Sequence, residues 1–384
     1  MKILCVFLDM IRLDHLQLFN QEIKETSLDV FLKALGGRLY TKCYSPGPDT
    51  PRSNACLQTG LLPYFNGCET RIQWPKFFIK DNISTIYDTL SQKGYRVNLC
   101  AETNLLITGL FRYSPSERIY EYTNPEDFIK KGVIEEDTFS FIRTGDMHAA
   151  INDYHATERS FDVGFEMIDI FFKKYITTDY INQYDYTIIF SDHGCGVFKE
   201  SIKKLDPLYL LGNQRSQLLM FIHRRNDKEI EYDDRISDIT DLYATIADII
   251  GENDFRQGYS LLQEAIPGRI IHIEDHTDFK VYPEQMIKQW RIISDTFDIR
   301  TDIKHCLIEK GSEDDLKSCE KRLSEYSPSY LKYKIQLDVW KYYDEIRKDE
   351  EVNFFVGAPR ISKRKNKIIR LMTGATRCLI RLFQ

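Results

Sequence analysis

The sequence YTIIFSDHG, residues 186–194, joins a short apolar run to the polar pair Asp192 and His193. Residues 186–190 are β-branched or aromatic and predict a buried strand. The polar pair follows at the carboxyl end of that strand. In sheets of parallel strands this is where ligands bind, because loops and helix N-termini converge there. The stretch therefore predicts both a strand of an α/β sheet and a polar site at its end.

The start of the chain repeats this arrangement, since Lys2 to Leu8 is an apolar strand-like run that Asp9 closes. Further strands are predicted at 96–101, 218–223 and 269–273. Helices are predicted at 237–250 and at 84–93, the second capped by Ser84 and ended by Gly94. The alternation of strand and helix signals over the first two-thirds of the chain favours a largely parallel sheet with helices on both faces.

The composition excludes several classes of protein. An apolar fraction of 42% and a charged fraction of 29% over 384 residues indicate a globular chain with a sizeable core, not a fibre or a disordered segment. A net charge of −6 gives no general attraction to nucleic acid, so we expect no nucleic-acid partner. The nine cysteines form no Cys-x-x-Cys pair, and we expect reduced, mostly buried thiols.

The N-terminal apolar run is too short for the core of a secretory signal and lacks a small-residue cleavage site. No window approaches the roughly 18 apolar residues that a membrane span needs. The sequence therefore predicts a cytoplasmic protein.

The character of the sequence changes near residue 281. Residues 281–356 are charged, Tyr-rich and helical in pattern, and predict a helical appendage to a catalytic domain of residues 1–280. Residues 357–384 form a separate tail, in which residues 360–384 hold eight Lys or Arg and no acidic residue. Apolar residues at helical spacing predict a basic amphipathic helix there. It is expected on an anionic membrane surface, on its own domain or on a partner subunit.

A third segment, PDTPRSNACLQTGLLP at residues 48–63 followed by Asn66 and Gly67, carries a recognisable motif. It resembles the nucleophile turn of sulfatases and related phosphoesterases of the alkaline phosphatase superfamily. In that turn the nucleophile lies nine residues before a Thr-Gly that is followed by a Pro and then a Gly. Thr50 occupies the nucleophile position.

Other segments resemble the same superfamily in the same order along residues 1–275: 8–16, 90–96, 191–194, 240–251 and 258–262. The resemblance implies an alkaline-phosphatase-like α/β/α sandwich with a mostly parallel central sheet.

Asp9, Asp192 and His193 offer two carboxylates and an imidazole, a mixture that suits Mn or Zn better than Ca. The resemblance adds Thr50 as a fourth ligand. The resulting set is similar to the one-metal site of the branch that transfers phosphoglycerol or phosphoethanolamine groups, and to the matching metal of phosphodiesterases in the superfamily.

Departures from the sulfatase pattern bear on the reaction. Sulfatases oxidise a Cys or Ser to formylglycine, and Thr50 cannot supply that aldehyde. Asn54 stands where a sulfatase Arg is expected, and Met10 replaces a second Asp. The resemblance thus implies phosphoryl transfer through a phosphothreonine, because a divalent metal lowers the pKa of a bound hydroxyl.

The run from Phe141 to His148 is an apolar strand leading into Asp-x-His, and it resembles the segment that supplies a substrate-side histidine. His148 is expected as the general acid for the leaving oxygen, or as a ligand of a second metal with Asp146 and either His272 or His276. The metal count stays open at one or two.

Arg52 and Arg215 are candidates for holding phosphate oxygens in a bidentate manner, and Asn54 is a third candidate for substrate binding. Asn152, Asp153 and His155 are weaker candidates in the loop after His148.

These inferences predict a metal-dependent phosphodiesterase or phosphotransferase acting on a phosphorylated glycan or lipid-linked sugar. The alternatives are a simple phosphomonoesterase, a catalytically silent membrane-docked scaffold in polysaccharide assembly and, more remotely, a sulfatase. If the basic tail binds membrane, the protein is peripheral on the inner face of the cell membrane. The oligomeric state is not predicted.

Overall fold

The computed structural model describes residues 1–68, 79–154, 157–195, 211–276, 288–301 and 306–326. All of these residues belong to one compact unit. The basic tail at 360–384 and the part of the expected appendage beyond residue 326 lie outside the described residues.

Eight strands form the main sheet: β1 (Lys2–Leu8), β2 (Gly37–Tyr44), β3 (Arg96–Cys100), β4 (Ile119–Tyr122), β5 (Thr138–Thr144), β6 (Tyr186–Phe190), β7 (Met220–Arg224) and β8 (Ile230–Asp238). Their order across the sheet is β4-β3-β5-β1-β6-β7-β2-β8. Only β7 runs antiparallel to its neighbours among these strands, and the other pairs are parallel. The mostly parallel α/β sheet predicted from the sequence is confirmed.

Twelve helices are described: α1 (Ser27–Leu35), α2 (Thr50–Thr59), α3 (Pro63–Asn66), α4 (Ile86–Gln92), α5 (Thr103–Ile107), α6 (Pro125–Lys131), α7 (Asp146–Tyr154), α8 (Glu158–Lys174), α9 (Thr178–Ile181), α10 (Asn213–Ser216), α11 (Thr240–Ile249) and α12 (Glu313–Tyr326). Alternate residues of β1 face opposite sides of the sheet, where the helices form two layers. Ile3, Cys5 and Phe7 pack with α2, α4 and α11. Leu4, Val6 and Leu8 pack with α1, α7 and α8 on the opposite face.

Strand β1 lies between β5 and β6, and this placement brings its carboxyl end beside theirs. The Asp9 amide donates to the Thr144 carbonyl at 3.1 Å and thereby continues the pairing one residue past β1. The Phe7 ring stacks on Phe190 with 5.3 Å between centroids. The three strands that precede the polar site are therefore fixed to one another by backbone pairing and by aromatic packing.

The element boundaries differ in places from those expected. The cap of α4 is Thr85, not Ser84, because the Thr85 hydroxyl and the Asp88 carboxylate form a reciprocal capping box. The helix predicted at 237–250 begins only at Thr240, because residues 230–238 form β8. Strand β2 was not predicted, since Arg38 and other charged residues interrupt its apolar pattern; Arg38 is paired with Glu231 across the sheet.

A second sheet corrects the expectation of a helical appendage over residues 281–356. Its antiparallel strands are β9 (Ile271–His276), β10 (Lys288–Ile293), β11 (Asp298–Thr301) and β12 (Cys306–Lys310), in the order β12-β11-β10-β9. The charge of this segment does not mark an exposed helix, because β10 buries Arg291 together with its sequence neighbours Trp290 and Ile292. Asp298 of β11 accepts from Arg291 at 2.5 Å, which compensates the buried charge. Only α12 fits the helical expectation within the described part of this segment.

Eight cysteines of the described ranges are free thiols, and all of them except Cys306 are buried. This agrees with the expectation of reduced, mostly buried cysteines. None of the described helices combines the length and the apolar composition that a membrane crossing requires.

Candidate metal centre and nucleophile

Two neighbouring strands carry the acidic residues of the site. Asp9 follows β1, and Asp192 and His193 follow β6, which pairs with β1 in parallel. One ligand atom from each of the three residues lies within 4.8 Å of the others, and no other such cluster is found among the described residues. The sheet therefore assembles the metal-binding trio that the sequence predicts.

Thr50 is the first residue of α2. The helix begins there because Asp49 is its N-cap, whose carboxylate accepts from the Arg52 amide at 3.1 Å, and because Pro51 suits the first turn. The Thr50 hydroxyl lies 3.4 Å from His193 Nε2, and the side chain is buried. The structure thus joins the predicted nucleophile to the predicted metal ligands.

The hydrogen bonds of His193 fix its tautomer. Its Nδ1 lies 2.6 Å from the Gly194 carbonyl oxygen. Because a carbonyl can only accept, Nδ1 carries the proton and Nε2 keeps its lone pair. That nitrogen faces both the Thr50 hydroxyl and Asp192 Oδ2, the latter at 3.4 Å. His193 is therefore in the form that binds a metal ion.

The Asp192 carboxylate is held by one oxygen only. Its Oδ1 accepts from the amides of Met10 at 3.2 Å and His193 at 2.9 Å. Met10 reaches this position through a left-handed backbone with φ of 68°, an uncommon conformation for a residue other than glycine. Asp192 Oδ2 and Asp9 Oδ1 are buried, and neither has a hydrogen-bond partner. Two unpaired carboxylate oxygens beside an imidazole lone pair fit a divalent cation.

Burial and the neighbouring charges act differently on the two carboxylates. Burial, reinforced by the negative charge of Asp9, raises the pKa of Asp192 to about 6. Burial also opposes ionisation of Asp9, but the positive charge of Arg143 outweighs it and lowers the pKa of Asp9. The two adjacent acids repel each other, and a bound cation would relieve that repulsion.

Arg143 and Glu102 belong to the site although the sequence analysis did not identify them. The Arg143 guanidinium, nearly buried at the end of β5, contacts Asp9 Oδ2 and Glu102 Oε2. Gly145 makes room for it, since a Cβ at that position would lie 2.9 Å from Arg143 Nη1 and 3.0 Å from Glu102 Oε1. The sequence feature that could have identified Arg143 is its position as a charged residue at the carboxyl end of an otherwise apolar strand.

His148 lies in the first turn of α7, close enough for its charge to lower the pKa of Asp9. Asn152 Nδ2 is 2.9 Å from His148 Nδ1. Asn152 therefore orients the His148 ring. Asp153 is exposed, and His155 lies outside the described residues.

The structure does not bring together the residues considered for a second metal. Asp146 accepts from the Thr144 hydroxyl at 2.6 Å, and with His148 and His272 it forms no ligand cluster within the described ranges. His272 lies in β9 of the second sheet, where its Nε2 is 3.1 Å from Arg322 Nε. The side chain of His276 lies outside the described residues.

The three candidates for substrate binding have other partners. Arg52 is fully buried, and its guanidinium bonds to Asp49 at 2.7 Å, to Asp275 at 2.5 Å and to the Glu274 carbonyl at 3.0 Å. Arg215 pairs with Asp275 and donates to the Pro48 carbonyl at 3.1 Å. These contacts correct the expectation that both arginines face a phosphate, because they hold the turn before Thr50 instead.

Asn54, the third candidate, donates to the Leu110 carbonyl at 2.5 Å, and Gln58 donates to the same oxygen at 2.7 Å. Asn54 is buried one turn after Thr50. Its observed role is therefore to tie α2 to the loop around residue 110.

Several solved structures are similar to this chain over most of its length. A protein in the alkaline phosphatase superfamily from Vibrio parahaemolyticus is 16% identical with a TM-score of 0.59, covering 86% of this chain and 87% of that chain. A putative sulfatase from Bacteroides thetaiotaomicron is 13% identical with a TM-score of 0.61, covering 90% and 91%. The phosphonate monoester hydrolase of Agrobacterium radiobacter is 11% identical with a TM-score of 0.55, covering 88% and 95%.

At these identities the similarity establishes the fold, which is the one that the sequence predicts. No protein-family model matches the sequence, and no curated protein matches it.

Metal binding tests the cluster. We expect saturating Mn²⁺ to raise the unfolding temperature of the wild type, since a ligand at about 100 times its Kd stabilises by about 2.7 kcal/mol. Asp192→Asn should abolish most of this gain because it removes a buried charged ligand. Asp127→Asn, which changes a partly exposed acid on α6, is the matched control and should keep the gain. An equal gain in Asp192→Asn would place the metal elsewhere.

The titration of His272 predicts a pH effect on stability. Burial and Arg322 lower the pKa of His272 to about 4. The unfolded chain, with an ordinary histidine pKa near 6.5, therefore binds the proton first, and folding loses stability as the pH falls from about 6.5 to about 4. Relative to His272→Gln, the wild type should lose about 2 kcal/mol between pH 7.5 and pH 4.5 in urea unfolding. Parallel losses in both proteins would refute this assignment.

Proposed function

We propose that this chain, whose fold is that of the alkaline phosphatase superfamily, is a metal-dependent enzyme that transfers or hydrolyses phosphate esters through Thr50. The observation that carries the proposal is the Thr50 hydroxyl at 3.4 Å from His193 Nε2, in a cluster with two unpaired buried carboxylate oxygens. A nucleophile beside an imidazole lone pair and two anionic ligands is the arrangement expected for attack on an ester of phosphorus.

Asp9, Asp192, His193 and Thr50 are the residues that would hold the ion. A divalent cation of the Mn or Zn type, when bound, would acidify the threonine hydroxyl and offset negative charge on the phosphoryl group. The mixed oxygen and nitrogen donor set favours these metals over Ca. Arg143 engages the second oxygen of Asp9, so the carboxylate presents its other oxygen to the cluster.

Thr50, once its hydroxyl has released its proton to solvent, would attack phosphorus through Oγ1, and the bond to the ester oxygen would break. The leaving oxygen would take a proton from Nε2 of His148 in its doubly protonated form, which leaves the ring neutral. The first turn of α2 adds the partial positive charge of a helix N-terminus next to the phosphoryl group. Water or an alcohol would then attack the phosphothreonine and regenerate the hydroxyl.

Sulfatases are among the similar structures, so sulfate esters are the competing substrate class. A threonine argues against them, because the aldehyde hydrate of the sulfatase nucleophile cannot be made from a secondary alcohol. A phosphonate monoester hydrolase of the same fold supports chemistry at phosphorus on this scaffold.

Substitution of Thr50 tests the nucleophile. With Mn²⁺ present, we expect the wild type to hydrolyse a nitrophenyl phosphodiester or phosphomonoester and not nitrophenyl sulfate. Thr50→Ala should lower kcat by at least about 10³-fold, and Thr50→Ser should retain most of the turnover because it keeps a hydroxyl. Full activity in Thr50→Ala, or sulfate turnover by the wild type, would exclude the proposal.

The role of His148 predicts a dependence on the leaving group. His148→Gln should lower kcat/KM for a methyl ester by about 10²–10⁴-fold, since alkoxides need a proton to leave. Nitrophenolate leaves without one, so the loss for the nitrophenyl ester should be several-fold at most. Asn152→Ala, which removes the side chain that orients the His148 ring, should show the same trend more weakly. Equal losses for both esters would assign His148 a binding role instead.

A further inference from the structure

A cleft opens at the carboxyl ends of β3, β4 and β5, next to the metal cluster. Its volume is about 420 Å³, within the range of small-molecule sites. The residues that follow the three strands form its floor, and helix α8 forms its wall. Nothing described above assigns this space a role in the reaction.

Arg143 connects the cleft to the cluster. Its guanidinium lines the cleft. It contacts Asp9, which belongs to the metal cluster, and Glu102, which lines the cleft. The backbone of Thr144, another lining residue, accepts from the Asp9 amide. Arg143 thus links this space to the cluster, and an alcohol group that extends from a phosphorus at the cluster toward Arg143 would enter it.

The wall is apolar. Met167, Ile170, Phe171 and Tyr175 recur on one side of α8 and face the cleft. Ile170 is 61% exposed, which is unusual for a large aliphatic side chain beside a concave surface. The wall offers contact to the apolar face of a ligand.

The charged side chains that line the cleft sum to a net charge of zero. Glu102 and Asp146 are opposed by Arg143 and Lys174. Glu102 Oε2 contacts Arg143, while Oε1 makes no hydrogen bond with any described residue, and its side chain is 46% exposed. Lys174 is exposed at the rim, with its ammonium 4.8 Å from the centre of the Tyr175 ring. Acceptors and donors are thus both present, with no net field that favours an ion.

We propose that this cleft binds the alcohol part of the phosphoester and that it selects a neutral, polyhydroxylated alcohol of the sugar type. Hydroxyl groups both donate and accept, so they satisfy the Glu102 carboxylate and the Lys174 ammonium alike. The carbon face of a sugar ring would pack on Ile170 and Tyr175. A quaternary ammonium can neither donate a hydrogen bond to Glu102 nor accept one from Lys174, and a plain alkyl chain would leave the same polar groups without partners.

The inference rests on the proposed function, since it assumes that the phosphoryl group sits at the cluster. Calorimetric binding to the Mn²⁺-loaded Thr50→Ala protein, which lacks the nucleophile and serves as the background for every variant of this test, measures affinity without turnover. The probes are methyl phosphate, glucose 1-phosphate and phosphocholine. We expect glucose 1-phosphate to bind at least tenfold more tightly than methyl phosphate, and phosphocholine to bind no better than methyl phosphate.

Ile170→Trp fills the cleft from an exposed position and should bring the ratio of the methyl phosphate and glucose 1-phosphate Kd values close to one. Asp162→Trp, two turns earlier on α8 and outside the cleft, is the matched control and should leave the ratio unchanged. Glu102→Ala should lower glucose 1-phosphate affinity by about tenfold, because one hydroxyl loses its acceptor.

Equal affinity for methyl phosphate and glucose 1-phosphate in the Thr50→Ala protein, or a ratio that Ile170→Trp does not change, overturns this inference and leaves the Thr50 chemistry standing. Tighter binding of phosphocholine overturns the choice of a neutral alcohol. Binding of none of the three esters means that no phosphoryl site exists at the cluster, so the proposed function fails together with the inference.

Discussion

The burial of two carboxylates side by side is the constraint on which the rest of the site depends. Asp9 and Asp192 end adjacent parallel strands and are almost inaccessible to water, so their charges need compensation from the protein or from an ion. Arg143 compensates one oxygen of Asp9, and two backbone amides bond one oxygen of Asp192. The remaining oxygens lie in the cluster with His193, where a cation would complete the balance.

The position of Thr50 depends on a second buried network. Arg52 and Arg215 meet at Asp275 in β9, while Arg52 also bonds to the helix cap Asp49. The second sheet therefore holds the turn that carries Thr50, which explains why a strand beyond residue 270 belongs to the same compact unit as the site. Arginines that neighbour a nucleophile in sequence need not face the substrate.

The sequence predicts the central features because they depend on local patterns. Strand β6 and the following Asp192 and His193 are readable from apolar composition and strand length, and Thr50 from a collinear motif. The roles of Arg52 and Arg143 are not readable, because each depends on acids that are distant in sequence: Asp275 for Arg52, and Asp9 and Glu102 for Arg143. The strands from residue 288 onward were not predicted, because the sequence around Arg291 resembles an exposed helix. In the structure Arg291 is buried and bonds to Asp298 on the next strand.

The most direct test of the central claim is peptide mapping by mass spectrometry of Mn²⁺-loaded protein quenched with acid during turnover of a phosphodiester. The account predicts one added phosphoryl group on the peptide that contains Thr50, and none on that peptide in Thr50→Ala. Steady turnover with no phosphorylated Thr50 under any quench, or a phosphoryl group on a different side chain, would contradict it.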